Sequence, residues 1–134
     1  MIVVDTNLLV YLYVHGQWTA QAEAVLVRDS TWTAPLLWRS EFRNTLAGLV
    51  RARAIDLDDA IRISHEAERR MGGAEFSVPS QQVLQLAVRS RCSAYDCEFV
   101  ALAQDLRAPF VTADRQVLAA FPSTAVSPSE FVDS

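Results

Sequence analysis

Three consecutive β-branched residues, Ile2-Val3-Val4, run straight into three polar ones, Asp5-Thr6-Asn7. An apolar run without alternation is the pattern of a strand covered on both faces, as in a parallel sheet. A second apolar segment, Leu8 to Val14, begins at once. Asp5 is therefore expected at the carboxyl end of a central strand, with Thr6 or Asn7 capping the helix that follows. In open α/β sheets that edge is where ligands bind. Taken alone, Asp5 is equally well explained as a turn residue.

The rest of the chain alternates helical patterns with short apolar runs. Leu8 to Val14 reads as a short buried helix broken by Gly16, and Thr19 is placed to cap a helix from Ala20 to about Arg28. Thr31 to Ala34 reads as a second strand closed by Pro35. Pro35 suits the first turn of the longest helix, Leu36 to Arg53. Trp38, Phe42, Thr45, Leu46 and Leu49 form its apolar stripe, with Glu41 at the edge, facing partly inward. A carboxylate there is costly unless paired, solvated or bound to a cation, and a Glu41–Arg ion pair is the plainest alternative.

A further helix is expected from Asp58-Asp59 to Met71, its charges forming a solvated face, and Gly72-Gly73 ends it. Glu75 to Pro79 reads as a short strand or linker, and Ser80 caps a helix to Arg89. Ser93 and Asp96 have the spacing of a capping box, which puts Asp96 in the first turn of a helix. A negative charge is favoured there, so capping alone could account for it. Phe110-Val111 is another buried strand, ending in Thr112-Ala113-Asp114. Asp114 thus repeats the device seen at Asp5. Gln116 to Ala120 reads as a last short helix, Thr124 to Val126 as an edge strand, and the polar tail Ser127 to Ser134 is expected to fray.

The 134 residues suffice for one domain, 1–134, with a sizeable core. A hydrophobic fraction of 51% is high for a small protein, so part of the apolar surface is expected to lie under a partner. No stretch reaches the roughly 18 apolar residues of a membrane span, and no secretory signal is read at the start. Cys92 and Cys97 have no metal-ligand spacing, and the two histidines, His15 and His65, have no third ligand nearby. Reduced thiols and a cytoplasmic setting are expected. The net charge of −4 gives no overall steering toward nucleic acid. All the basic residues are Arg, the better residue for gripping phosphate in a local patch.

If the sheet is parallel, Asp5 and Asp114 share one edge. Asp96 at a helix start and Glu41 turned inward would complete a cluster there. Gathered carboxylates repel unless a proton or cation intervenes. Hard divalent cations prefer oxygen ligands, and Mg²⁺ retains waters that can act on a phosphate. The chemistry such a site supports is metal-assisted phosphodiester hydrolysis.

The same residues carry a family resemblance. VVDTN at 3–7, Glu41 in the helix after PLLW, SAYDCEFVALA at 93–103 and FVTAD at 110–114 resemble, in order and spacing, the motifs of PIN-domain proteins. The chain is most similar to VapC, the toxin ribonucleases of bacterial toxin–antitoxin pairs. Each motif is short, but together they span nearly the whole chain. The resemblance implies a three-layer α/β/α fold with a mainly parallel sheet and an Mg²⁺- or Mn²⁺-dependent endoribonuclease. It also implies a homodimer and a cognate VapB-type antitoxin.

Carried over by position, Asp5, Glu41, Asp96 and Asp114 become the catalytic and metal-binding acids, with Asn7 and Thr112 as polar helpers. Cys97 stands where the family often has Ala. Glu98, two residues from Asp96, is expected to point elsewhere. Two rival functions remain at this stage: a non-catalytic PIN-like module that binds RNA or protein, and a small-molecule phosphatase. The phosphatase lacks its usual Asp-x-Asp-x-Thr stretch, since Thr6-Asn7-Leu8 follows Asp5.

Overall fold

In a computed structural model that describes residues 1–134, the chain builds one five-stranded sheet flanked by helices. The elements in order are β1 (Ile2–Val4), α1 (Thr6–Tyr13), α2 (Thr19–Arg28), β2 (Trp32–Pro35), α3 (Trp38–Arg51), α4 (Leu57–Met71) and β3 (Glu75–Phe76). They continue with α5 (Ser80–Ser90), α6 (Ala94–Leu106), β4 (Phe110–Val111), α7 (Arg115–Ala120), β5 (Ala125–Val126) and α8 (Pro128–Asp133). The strands lie in the order β3-β2-β1-β4-β5, and every pairing is parallel. This is the three-layer α/β/α arrangement expected of a PIN-like domain.

The Ile2-Val3-Val4 run takes the central position its composition calls for, with each of the three residues at most 1% exposed. Val3 sits beside Thr33 on one side and Phe110 on the other. α6 packs against β1, β2 and β4, which explains why Phe99 to Ala103 are all buried. Its Phe99 ring stacks on Phe110 at 5.4 Å. Trp38 and Phe42, both almost fully buried, meet edge to face on α3, also at 5.4 Å. Each such side chain contributes about 1.5–3 kcal/mol by leaving water.

Several local expectations are corrected. Asp5, rather than Thr6 or Asn7, caps α1, accepting the Asn7 N–H at 3.2 Å. Thr19 is buried and does not cap α2: its hydroxyl donates to the Tyr11 carbonyl at 2.6 Å, and Trp18 occupies the cap position without a side-chain bond. Pro35 lies inside β2, and Leu37 precedes α3. Asp56 caps α4 through the Asp59 N–H, so that helix begins before Asp58. Pro79 takes the cap position of α5, so Ser80 is its first residue.

The tail does not fray. Ser127 caps α8 through the Glu130 N–H, α8 packs against α2, and Arg28 donates to the Ser134 carbonyl. The face of α4 is not wholly solvated either. Arg39 bonds Glu75 through Nε (2.6 Å) and Nη2 (2.8 Å) and reaches Glu68 through Nη1 at 2.8 Å, tying α3, β3 and α4 together. Arg39, with Trp38 Nε1 at 2.8 Å, holds Glu75 below the usual carboxylate range. No helix is long and apolar enough to cross a membrane.

Candidate functional site

The chain leaves β1 and moves outward through β2 and β3, then returns to the other side of β1 for β4 and β5. The strand order therefore reverses between β1 and β4, where open α/β sheets form a crevice beyond their carboxyl ends. Asp5 follows β1 and Asp114 lies three residues beyond the end of β4, so both acids flank this point. A cleft of about 520 Å³ opens there, lined by Asp5, Asn7, Glu41, Asp96 and Asp114 among others. Thr112 is not on its wall but directly behind, fully buried.

Each acid is held by its local structure. The Asp5 backbone N–H makes the last rung to β4, donating to Val111 O at 3.1 Å, so its side chain emerges at the strand end. Asp5 Oδ1 accepts the Asn7 N–H, and Oδ2 accepts the Thr112 hydroxyl at 2.6 Å. Thr112 Oγ1 in turn accepts the Asp114 N–H at 3.1 Å, linking the two acids through one buried hydroxyl. Asp114 caps α7, its Oδ1 accepting the Val117 N–H at 3.0 Å. Ser93 Oγ accepts the Asp96 N–H at 3.0 Å and starts α6, the half of the expected capping box that is formed.

Glu41 forms no ion pair. Its Oε1 accepts the Thr6 hydroxyl at 2.8 Å, across 35 residues of sequence. Thr6, 5% exposed, lines the cleft from the first turn of α1 and is the functional candidate that sequence reasoning missed. Its position beside Asp5 was visible, but nothing local in the sequence marks its partner. Glu98 lines a separate hollow with Phe76 and Val83.

The electrostatics are those of a crowded acidic cleft. Burial pushes the Asp5 carboxyl above its ordinary range, the Thr112 and Asn7 hydrogen bonds pull it back, and the charge of Asp114 adds to the rise. Glu41 is raised by burial, against the pull of Thr6, with further contributions from Asp5, Asp96 and Glu98. Asp96 is raised by burial, opposed by Ser93 and reinforced by Asp114 and Asp5. The acids therefore sense one another, and no Arg or His lines the cleft to neutralise them.

This donor set is all oxygen, which suits a small hard cation and not a thiolate- or imidazole-seeking one. No three His, Cys, Asp or Glu side chains stand close enough together to hold a metal ion by themselves. That argues against a cage of the Ca²⁺ kind. It is compatible with Mg²⁺ or Mn²⁺, since Mg²⁺ typically takes one or two carboxylates directly and keeps several waters. The residues present fit such an ion.

No protein-family model matches the chain, and no curated protein does. Solved structures do. One is PAE2754 from Pyrobaculum aerophilum, with a TM-score of 0.77 at 21% identity, covering 98% of this chain and 93% of that one. A toxin–antitoxin complex from Klebsiella pneumoniae matches with a TM-score of 0.72 at 18% identity, covering 96% and 98%. FitAcB from Neisseria gonorrhoeae matches with a TM-score of 0.75 at 16% identity, covering 96% and 99%. At these identities the likeness establishes a shared fold over nearly the full length of each chain.

Proposed function

We propose that the protein is an Mg²⁺- or Mn²⁺-dependent endoribonuclease, the toxin of a type II toxin–antitoxin pair. The observation that carries this reading is the cleft itself: four carboxylates from separate elements line one crevice with no basic residue among them. A polyanion cannot approach such a surface unaided. Cations neutralising the acids would convert it into a phosphate site. A bound divalent ion supplies Lewis-acid polarisation of the phosphate and of a water nucleophile.

The chain's own residues then have distinct tasks. Asp5, Asp96 and Asp114 would hold the cation, directly or through its waters, with Asp5 fixed by Thr112 and Asn7. Glu41 lines the cleft, and its Oε1 accepts the Thr6 hydroxyl, which leaves Oε2 as the oxygen for proton transfer. Its basicity, raised chiefly by burial, suits it to accept a proton from the attacking water at Oε2.

The toxin half of the reading is supported by the fold shared with the Klebsiella pneumoniae toxin–antitoxin complex. Exposed apolar side chains such as Leu36, Leu57, Ile61, Leu84 and Val88 support protein partners, which we take to be a second copy and a VapB-type antitoxin in the cytoplasm. Incubation with RNA, single-stranded DNA and a small phosphomonoester, with and without EDTA, tests the catalytic half. Internal cleavage of RNA alone, abolished by EDTA and by Asp96→Asn, is expected. Release of phosphate from the monoester, or binding without cleavage in Mn²⁺, would overturn it.

A further inference from the structure

Four acids and no base line the cleft, so neutralising them serves only the phosphate held among them. The next phosphates along an RNA strand still face a chain of net charge −4. They need cations that belong to the protein, beside the cleft and not in its wall. The basic residues are all Arg, and several are committed elsewhere. Arg39 and Arg62 are held in ion pairs, Arg28 donates to the Ser134 carbonyl and Arg70 to the Tyr13 hydroxyl. Arg43, two residues after Glu41, lines a separate groove with Leu57 and Ile61.

Arg91 and Arg115 differ from these. Both are exposed, and neither side chain enters any of the chain's ion pairs. The fold ties their two segments together. Gln116 Nε2 donates to the Arg91 carbonyl at 3.2 Å, and the Cys92 thiol meets the Gln116 carbonyl at 3.9 Å. The turn that leads into α6 therefore packs on the first turn of α7. Each of these helix starts delivers an acid to the cleft. Asp96 lies three residues after the Ser93 cap of α6, and Asp114 is itself the cap of α7, directly before Arg115. Neither Arg lines the cleft, so both stand on its rim, outside Asp96 and Asp114.

We propose that Arg91 and Arg115 grip the RNA backbone at the rim of the cleft, next to the phosphate held by the acids. This rests on the ribonuclease reading above. A guanidinium meets phosphate oxygens with two parallel N–H bonds, keeps its charge at any working pH and needs no neighbour to orient it. Such contacts fix where the strand lies and carry no base information. The pair sits on the side of Asp96 and Asp114, so it holds the strand on that side of the scissile bond.

The salt dependence of binding reads such contacts, because each phosphate neutralised releases counterions. The test follows a labelled single-stranded oligoribonucleotide of mixed sequence by anisotropy, from about 50 to 200 mM salt at fixed low Mn²⁺. It uses the Glu41→Gln protein, which keeps Asp5, Asp96 and Asp114 and lacks the proton acceptor. Arg91→Gln and Arg115→Gln should each lower the slope of log affinity against log salt by about 0.7, and together by about 1.4. Affinity should fall roughly 2- to 5-fold for each, the worth of an exposed charge pair. Arg91→Lys and Arg115→Lys keep the charge and should keep the slope. Arg107→Gln is the control: Arg107 is exposed but ends α6, about 16 Å along the axis from Asp96, and its loss should change nothing. A double Gln variant with the parent's slope, or an equal fall for Arg107→Gln, would overturn the grip. So would loss of poly-glutamate binding with RNA binding intact, which would assign the pair to an acidic protein partner. If the wild type cleaves RNA and the double variant cleaves it with the same KM and salt dependence, the grip falls and the nuclease stands. If the slopes fall as expected but the wild type never cleaves in Mn²⁺, the nuclease falls and the grip stands.

Discussion

Replacing Thr112 by Val removes one hydroxyl with almost no change of shape, and the structure allows its cost to be worked out. Thr112 is fully buried, donates to Asp5 Oδ2 at 2.6 Å and accepts the Asp114 N–H at 3.1 Å. A hydrogen bond to a charged group is worth about 1.5–3 kcal/mol, and stranding a partly buried N–H adds toward the lower end of about 1–3 kcal/mol. A loss of about 2–4 kcal/mol at neutral pH follows. With an unfolding entropy of roughly 2.1 cal/mol/K per residue over 134 residues, each kcal/mol is about 3.6 °C, so the melting temperature should fall by about 7–14 °C.

The pH dependence has a definite sign. Burial, the largest cause, raises the Asp5 pKa above its unfolded value, so the folded state retains a proton that the unfolded chain releases. Stability is therefore lost as pH rises through the folded pKa. The Thr112 bond opposes that rise by favouring the carboxylate. Its removal should consequently cost most above the folded pKa and progressively less on acidification. Melting curves of wild type, Thr112→Val and Thr112→Ser in EDTA from pH 4 to 8 check this, with Ser recovering most of the loss. A Val penalty below about 0.5 kcal/mol, the scatter of an ordinary surface change, would refute the reasoning, as would a penalty independent of pH.

Thr6→Val should lower RNA cleavage about 10- to 100-fold, the usual cost of losing a group that orients a ligand, and Thr6→Ser should restore it. In an assay with Glu41→Gln already present, Thr6→Val should add little. Single replacements Asp5→Asn, Asp96→Asn and Asp114→Asn should each reduce cleavage by orders of magnitude in single-turnover assays, with unchanged circular dichroism. Saturating the site with Mn²⁺ at ten times its Kd should stabilise the protein by about 1.4 kcal/mol, or about 5 °C in a melting curve. Asp114→Asn should shrink that shift. Glu98→Gln should leave cleavage within about threefold, since that carboxyl lines a different hollow.

Much of this architecture is legible because it depends on local chemistry. Ile2-Val3-Val4 has only one comfortable place in an α/β domain, the middle of a parallel sheet, and that is where it lies. Asp5 and Asp114 are recognisable as acids delivered beyond strand ends because each apolar run stops abruptly at polar residues. Ser93 caps α6 because its spacing to Asp96 is local.

What escapes the sequence depends on contacts distant in the chain. Thr6 and Glu41 are 35 residues apart, and Thr112 and Asp5 are 107 apart, so neither bond leaves a local signature. Thr19 looks like a cap until the fold offers it the Tyr11 carbonyl instead. The tail looks frayed until α2 gives α8 something to pack on. α5 and α6 end on Arg91 (φ 66°) and Arg107 (φ 53°), in the left-handed region where glycine is usual, so no residue type announces their ends.

In the proposed site Asp5, Asp96 and Asp114 would hold the cation, with Glu41 beside it as proton acceptor, and so make this cleft a phosphodiester site. Anomalous scattering from a crystal soaked in Mn²⁺ tests it most directly. A peak is expected in the cleft at coordination distance, about 2.0–2.2 Å by analogy with Mg²⁺, from carboxylate oxygens of Asp5 and at least one of Asp96 and Asp114. Water is expected to fill the remaining positions, and the peak should be lost in Asp96→Asn. A Mn²⁺ peak elsewhere on the protein, with the cleft empty in a form that cleaves RNA, would contradict it.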